Sequence, residues 1–109
     1  MRSFRDQALV TRTYDFGEAD RIVTLLTRNH GVVRAVAKGI RRTNSRFGAR
    51  VQQFNLIDVN LYPGRNLATL TQADTIRHYG KLIDDYDHYT AGAIILEAAQ
   101  KLTLHTPPG

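Results

Sequence analysis

Between Gln7 and Ile76 the chain sets out five short β-prone runs with turn chemistry between them, before any helical periodicity begins. The runs are Gln7 to Tyr14, Arg21 to Arg28, Val32 to Lys38, Val51 to Tyr62 and Leu67 to Ile76, rich in the Val, Thr, Ile and Tyr that suit a pleated, half-buried surface. Asp15 to Ala19 separates the first two, with Gly17 free to take a positive φ. Asn29-His30-Gly31 reads as a three-residue hairpin, and Tyr62-Pro63-Gly64-Arg65 as a type II turn with Pro second and Gly third. In the third run Val33, Ala35 and Ala37 share one face, while Val32, Arg34, Val36 and Lys38 share the other. The small residues suit a crowded interior, so Arg34 and Lys38 face outward.

The fourth run changes phase. Phe54 and Leu56 have one parity, and Ile57, Val59 and Leu61 the opposite one. Such a slip inside one strand signals a bulge or sharp coil, the device small closed barrels use at corners. Five short strands with one longer basic loop after the third match a five-stranded OB-fold barrel, with an SH3-like barrel as the other solution of the same pattern. The mostly β part is followed by a C-terminal α-helix: Asp84, Asp85 and Asp87 fit an acidic first turn, and Ala91, Ile94, Ile95, Ala98, Ala99 and Leu102 recur on one stripe. We therefore divide the chain into a barrel domain, 1–80, and a helical segment, 81–109, whose apolar stripe either plugs the barrel or belongs to a further domain.

Charge is concentrated. From Arg21 to Ile57 no acid occurs, and this stretch holds Arg21, Arg28, Arg34, Lys38, Arg41, Arg42, Arg46 and Arg50. Residues 1–65 carry twelve cations and five anions (+7) and residues 66–109 carry three and five (−2), which sum to the net +5. A solvated basic face would interleave both signs, whereas clustered cations are offset by an anion such as a nucleic-acid backbone.

Other chemistries find little support. The chain has no cysteine, so it has no thiol nucleophile, disulfide or zinc knuckle. Its four histidines are scattered without metal-ligand spacing. Asp15, Glu18 and Asp20 fall in one turn and Asp84, Asp85 and Asp87 at a helix start, not on separate elements converging on a cleft as two-metal catalysis requires. Gly39 and Gly48 lack phosphate-loop spacing. No apolar run is long enough to span a membrane, and the N-terminus lacks a signal-peptide core, so the expected location is cytoplasmic. The protein is expected to be no enzyme and to need no cofactor.

The run Gly17 to Arg28, the run His30 to Arg42, then Ser45-Arg46-Phe47-Gly48 and Leu61-Tyr62-Pro63-Gly64-Arg65 resemble the N-terminal OB-fold domain of the bacterial RecO family, particularly its actinobacterial members. The likeness runs from about residue 4 to the end. RecO proteins are longer, and this chain matches the OB domain plus the first helix of a second domain whose cysteine zinc site it lacks. The resemblance implies a recombination mediator in DNA repair that binds single- and double-stranded DNA, anneals strands and loads recombinase with RecR. RecF and single-strand-binding protein follow as further candidate partners.

We assign the DNA-binding role to Arg34, Lys38, Arg41, Arg42, Arg46 and Arg50. Arg34 and Lys38 stand about 13 Å apart along a strand, about two nucleotides of extended single strand, and Arg41, Arg42 and Arg46 lie on a loop read as flexible. Phe47 reads two ways, as a base-stacking ring or as a residue folded back onto the barrel; Tyr62 reads mainly as turn packing. With few aromatics in view, the expected binding is backbone-dominated and sequence-independent. Six phosphate contacts would give a log–log salt slope of about −4 on a single strand. The alternatives are a protein-interaction module meeting an acidic partner and an RNA-binding barrel, although the latter displays several aromatics on adjacent strands.

Overall fold

The computed structural model describes residues 2–45, 47–79 and 100. The five runs form β1 (Phe4–Phe16), β2 (Asp20–Thr27), β3 (Val32–Ala37), β4 (Asn55–Tyr62) and β5 (Ala68–His78), and a 3-10 turn, Gly48–Arg50, lies between β3 and β4. They close into a barrel in the order β1-β2-β3-β5-β4, with β4 returning to β1. Every neighbouring pair is antiparallel except β3 and β5, which meet in parallel through Ala35–Ala68 and Val36–Thr69. This is the OB-fold, and the parallel seam separates it from an SH3-like meander. Of the expected C-terminal helix only Gln100, in helical conformation, is among the described residues; the rest of that segment, and with it the proposed division near residue 80, lies outside them.

β1 makes closure possible by serving two neighbours. Phe4 to Leu9 pair with β4, and Ala8 to Phe16 pair with β2, with a bulge between Val10 and Arg12. The interior holds Ala8, Val10, Val23, Leu25, Ala35 and Ala37 from the first three strands and Ile57, Val59, Leu61, Leu70 and Ala73 from the other two. The small alanines fall on β3 as the alternation predicts. In β4 the phase slip appears as a register shift between Leu56 and Ile57. It sends Ile57, Val59 and Leu61 inward, and Leu56 outward into a second cluster with Leu9 and Tyr79, against which Leu26 and Phe54 pack.

Three local expectations are corrected. β4 starts at Asn55, not Val51, because Phe54 adopts φ +69, a left-handed conformation that interrupts extension. Phe54 is held there by its N–H donating to the Val10 carbonyl at 2.6 Å and its own carbonyl accepting from Tyr79 N–H at 3.2 Å. The Pro63-Gly64 turn is not type II, since Gly64 lacks the positive φ that the type requires. Glycine is needed there for close approach: a Cβ would sit 2.2 Å from the Leu67 carbonyl oxygen. Residues 28–31, not three, connect β2 to β3, with Gly31 at φ +67.

That connection is clamped to β1 by Asp6, whose side chain is 1% exposed. Its carboxylate accepts from Gln7 N–H (2.8 Å), Asn29 N–H (3.0 Å) and Asn29 Nδ2 (3.0 Å), and lies 2.7 Å from His30 Nδ1. A carboxylate only accepts, so Nδ1 carries the proton. Burial alone would push the Asp6 carboxyl up; the bonds from His30, Asn29 and Gln7 outweigh it, and the net shift is downward. The His30 ring also lies against Phe4, centroids 4.3 Å apart.

Candidate nucleic-acid interface

The pairing register builds one outer surface from β1, β2 and β3. Leu9, Leu26 and Val32 form its first cross-strand row. Arg12, Thr24 and Arg34 form the second, and Tyr14, Ile22 and Val36 the third. Phe16, opposite Asp20, ends β1. In the first row Leu9 belongs to the buried outer cluster and Leu26 packs on it, whereas Val32 is exposed. Beyond the β1 bulge the surface opens: Arg12 and Arg34 are exposed, as are Tyr14 (40%) and Phe16 (42%). The Arg34 guanidinium donates to the Tyr14 hydroxyl, linking the outer strands of the ladder across β2.

The basic loop docks at the end of this surface. Gly39, at φ +69, donates its N–H to Asp20 Oδ1 (2.7 Å), and Arg41 donates its N–H to the Ala19 carbonyl (3.0 Å). Ile40, Phe47 and Val51 drop into the barrel core. Arg42 N–H to the Gly39 carbonyl and Ser45 N–H to the Arg42 carbonyl add two internal turns. Three apolar anchors spaced along the loop tie it to the barrel. The sequence hid them because they follow no strand or helix period.

Phe47 corrects the stacking reading. It is 3% exposed and belongs to the main core, so its ring is spent on packing and is not offered to a base. The folded-back reading describes it. Arg34, Lys38 and Arg42 are exposed, as expected. Arg41 is at the loop's docking point, its guanidinium 3.5 Å from Asp15 Oδ2, while Arg21 Nε holds Asp15 Oδ1 at 3.1 Å. One carboxylate thus sits between two arginines. Arg50 turns the other way, toward β5, where its guanidinium reaches the Ala73 carbonyl at 3.5 Å and borders a cavity of about 230 Å³ with Thr71, Gln72 and Asp74. Arg46 lies outside the described residues. The structure thus brings Arg34, Lys38, Arg41 and Arg42 to one end of the ladder and sets Arg50 against another strand.

Sequence reasoning missed Arg12, Tyr14 and Phe16. They precede the acid-free stretch, and only the β1–β2 register places them beside Arg34. Their alternation along β1 was the available signal. Among the described residues no three His, Asp or Glu side chains converge as a metal would require, and no helix is long and apolar enough to cross a membrane.

Residues 1–79 match the family described as Recombination protein O N terminal. The chain belongs to the RecO family. It is 57% identical over 103 residues to the DNA repair protein RecO of Thermobifida fusca (strain YX), covering 94% of this chain and 42% of that protein. It is 58% identical over 100 residues to the DNA repair protein RecO of Nocardioides sp. (strain ATCC BAA-499 / JS614), covering 91% of this chain and 41% of that one. The chain thus spans about two fifths of the length of these RecO relatives. The match is to the actinobacterial type the sequence resembled.

Proposed function

We propose that the barrel is the non-catalytic DNA-binding domain of a recombination mediator. It binds the phosphate backbone of single- and double-stranded DNA along the β1–β2–β3 surface and the basic loop docked at its end. One observation carries this reading: Arg12, Arg34, Lys38, Arg41 and Arg42 converge there from a strand on each side of β2 and from the loop. The cations lower the repulsion between two strands brought together, which is what annealing requires of a protein surface. RecR, with RecF and single-strand-binding protein, remain the proposed partners through which such a domain acts in recombinase loading; this rests on family membership, not on the geometry. A cytoplasmic location goes with the same reading.

The test is fluorescence anisotropy of a labelled single strand over a salt series. With Arg41 held by Asp15, the four contacts from Arg12, Arg34, Lys38 and Arg42 give a log–log slope of about −2.8, or about a fiftyfold loss between 50 and 200 mM salt. Replacing Arg12, Arg34 and Arg42 together with alanine removes about two units of slope. Arg50→Ala, directed at β5, leaves the slope in place. A wild-type slope shallower than about −1.5, or an Arg50→Ala loss equal to that of the triple variant, defeats the assignment.

A further inference from the structure

We propose that Tyr14 and Phe16 form a base-stacking platform that makes this surface prefer single-stranded over duplex nucleic acid. The inference rests on the DNA-binding reading above and goes beyond it, because backbone contacts alone do not distinguish the two forms of DNA.

Both rings belong to β1 and, two residues apart in a continuous strand, leave the same face of the sheet. Their attachment points are about 7 Å apart along the strand, about one nucleotide step of an extended single strand. Each is more than one third exposed, as is Tyr62 on β4, and neither joins a core cluster; unlike Tyr62, they stand side by side on one face. An exposed ring beside a cation is the arrangement by which sequence-tolerant single-strand binders hold a base by its π-face while a nearby phosphate is neutralised. Here the cations are Arg12, two residues before Tyr14 on the same face, and Arg34, which donates to the Tyr14 hydroxyl and so restrains the ring's position.

The chemistry separates the strand forms. In a duplex both faces of each base are already stacked, and a ring reaches one only if the base is first unstacked. In a single strand the faces are available at little expense. Stacking uses the π-face and leaves the Watson–Crick edge open, so a base held on Tyr14 or Phe16 still pairs with an incoming complement. The platform thus adds strand selectivity without blocking annealing, and it amends the expectation of purely backbone-dominated binding.

The experiment compares the chain with a Tyr14→Leu, Phe16→Leu variant against oligo-dT and a duplex of equal length over the same salt series. The single-strand dissociation constant should rise at least about tenfold, with duplex affinity and salt slope unchanged. Tyr14→Phe, which keeps the ring and removes the hydroxyl, should stay within about threefold of wild type. A Phe16→Trp variant supplies the only tryptophan in the chain, and its emission should be quenched by oligo-dT and not by duplex. Steep salt-dependent binding by the wild type with no single-strand loss in the double leucine variant overturns the platform and leaves the DNA-binding reading standing. Parallel loss on both DNA forms also overturns the platform. Failure of the wild type to bind either form overturns both.

Discussion

Asp15 stands between Arg21 and Arg41, and replacing it with asparagine reports on where phosphate binds. The Asp15 side chain is 63% exposed, so each pair is worth no more than about 1 kcal/mol in the free protein. Asp15→Asn should therefore lower stability by about 1 kcal/mol or less. Its effect on DNA has the opposite sign. A phosphate about 7 Å from a carboxylate is repelled by about 0.6 kcal/mol at the dielectric constant of water, and screening at 0.1 M salt halves that to about 0.3 kcal/mol. Removing the carboxylate also frees the Arg41 guanidinium, now 3.5 Å from Asp15 Oδ2, to act as a further contact. One added contact steepens the single-strand salt slope by about 0.7. Anisotropy at 50 mM salt should then show a gain of about two- to fivefold, shrinking toward none near 300 mM. An unchanged or weakened affinity at low salt would falsify the placement of DNA at the end of the ladder where the basic loop docks.

Three further outcomes follow from the packing. Phe47→Ala should destabilise the barrel by about 3–4 kcal/mol in urea denaturation, since the ring is buried in the main core; a change below about 1 kcal/mol would return the ring to the surface. Gly64→Ala should lower the unfolding free energy by about 1–3 kcal/mol, because its Cβ meets the Leu67 carbonyl oxygen at 2.2 Å and the backbone must move. Asp6, with its folded-state pKa below the unfolded value, contributes stability that is present above the unfolded pKa and is lost as pH falls through the folded one. Acid titration below about pH 4 should therefore destabilise the wild type more steeply than Asp6→Asn; equal slopes would remove the carboxylate from the pH response.

The strands and barrel class were legible because each depends on a period of two. The alternation of Val33, Ala35 and Ala37 against Arg34, and the slip at Leu56–Ile57, are properties of neighbours in sequence. The surface of interest is not. Arg12 meets Thr24 and Thr24 meets Arg34 through register, set by a bulge between Val10 and Arg12 that leaves only a faint trace in the chain. The basic loop misled for a related reason. Its anchors Ile40, Phe47 and Val51 have irregular spacing, so the segment showed no period and its only phenylalanine read equally as a stacking ring or as a residue folded back onto the barrel. The Pro63-Gly64 pair shows a different failure: glycine signalled a turn correctly, but its cause was the nearby Leu67 carbonyl and not a positive φ.

The anchoring of the basic loop has a thermodynamic consequence for any ligand it receives. An unanchored segment gives up about 1–2 kcal/mol of backbone entropy for each residue that becomes ordered on binding. Burial of Ile40, Phe47 and Val51, together with the tie from Gly39 to Asp20, takes that loss during folding instead. The guanidinium groups of Arg41 and Arg42 then meet an anion with only their side-chain rotamers left to settle. Association should be fast and weakly dependent on temperature, and tuning the charge of this surface changes affinity without asking the loop to refold.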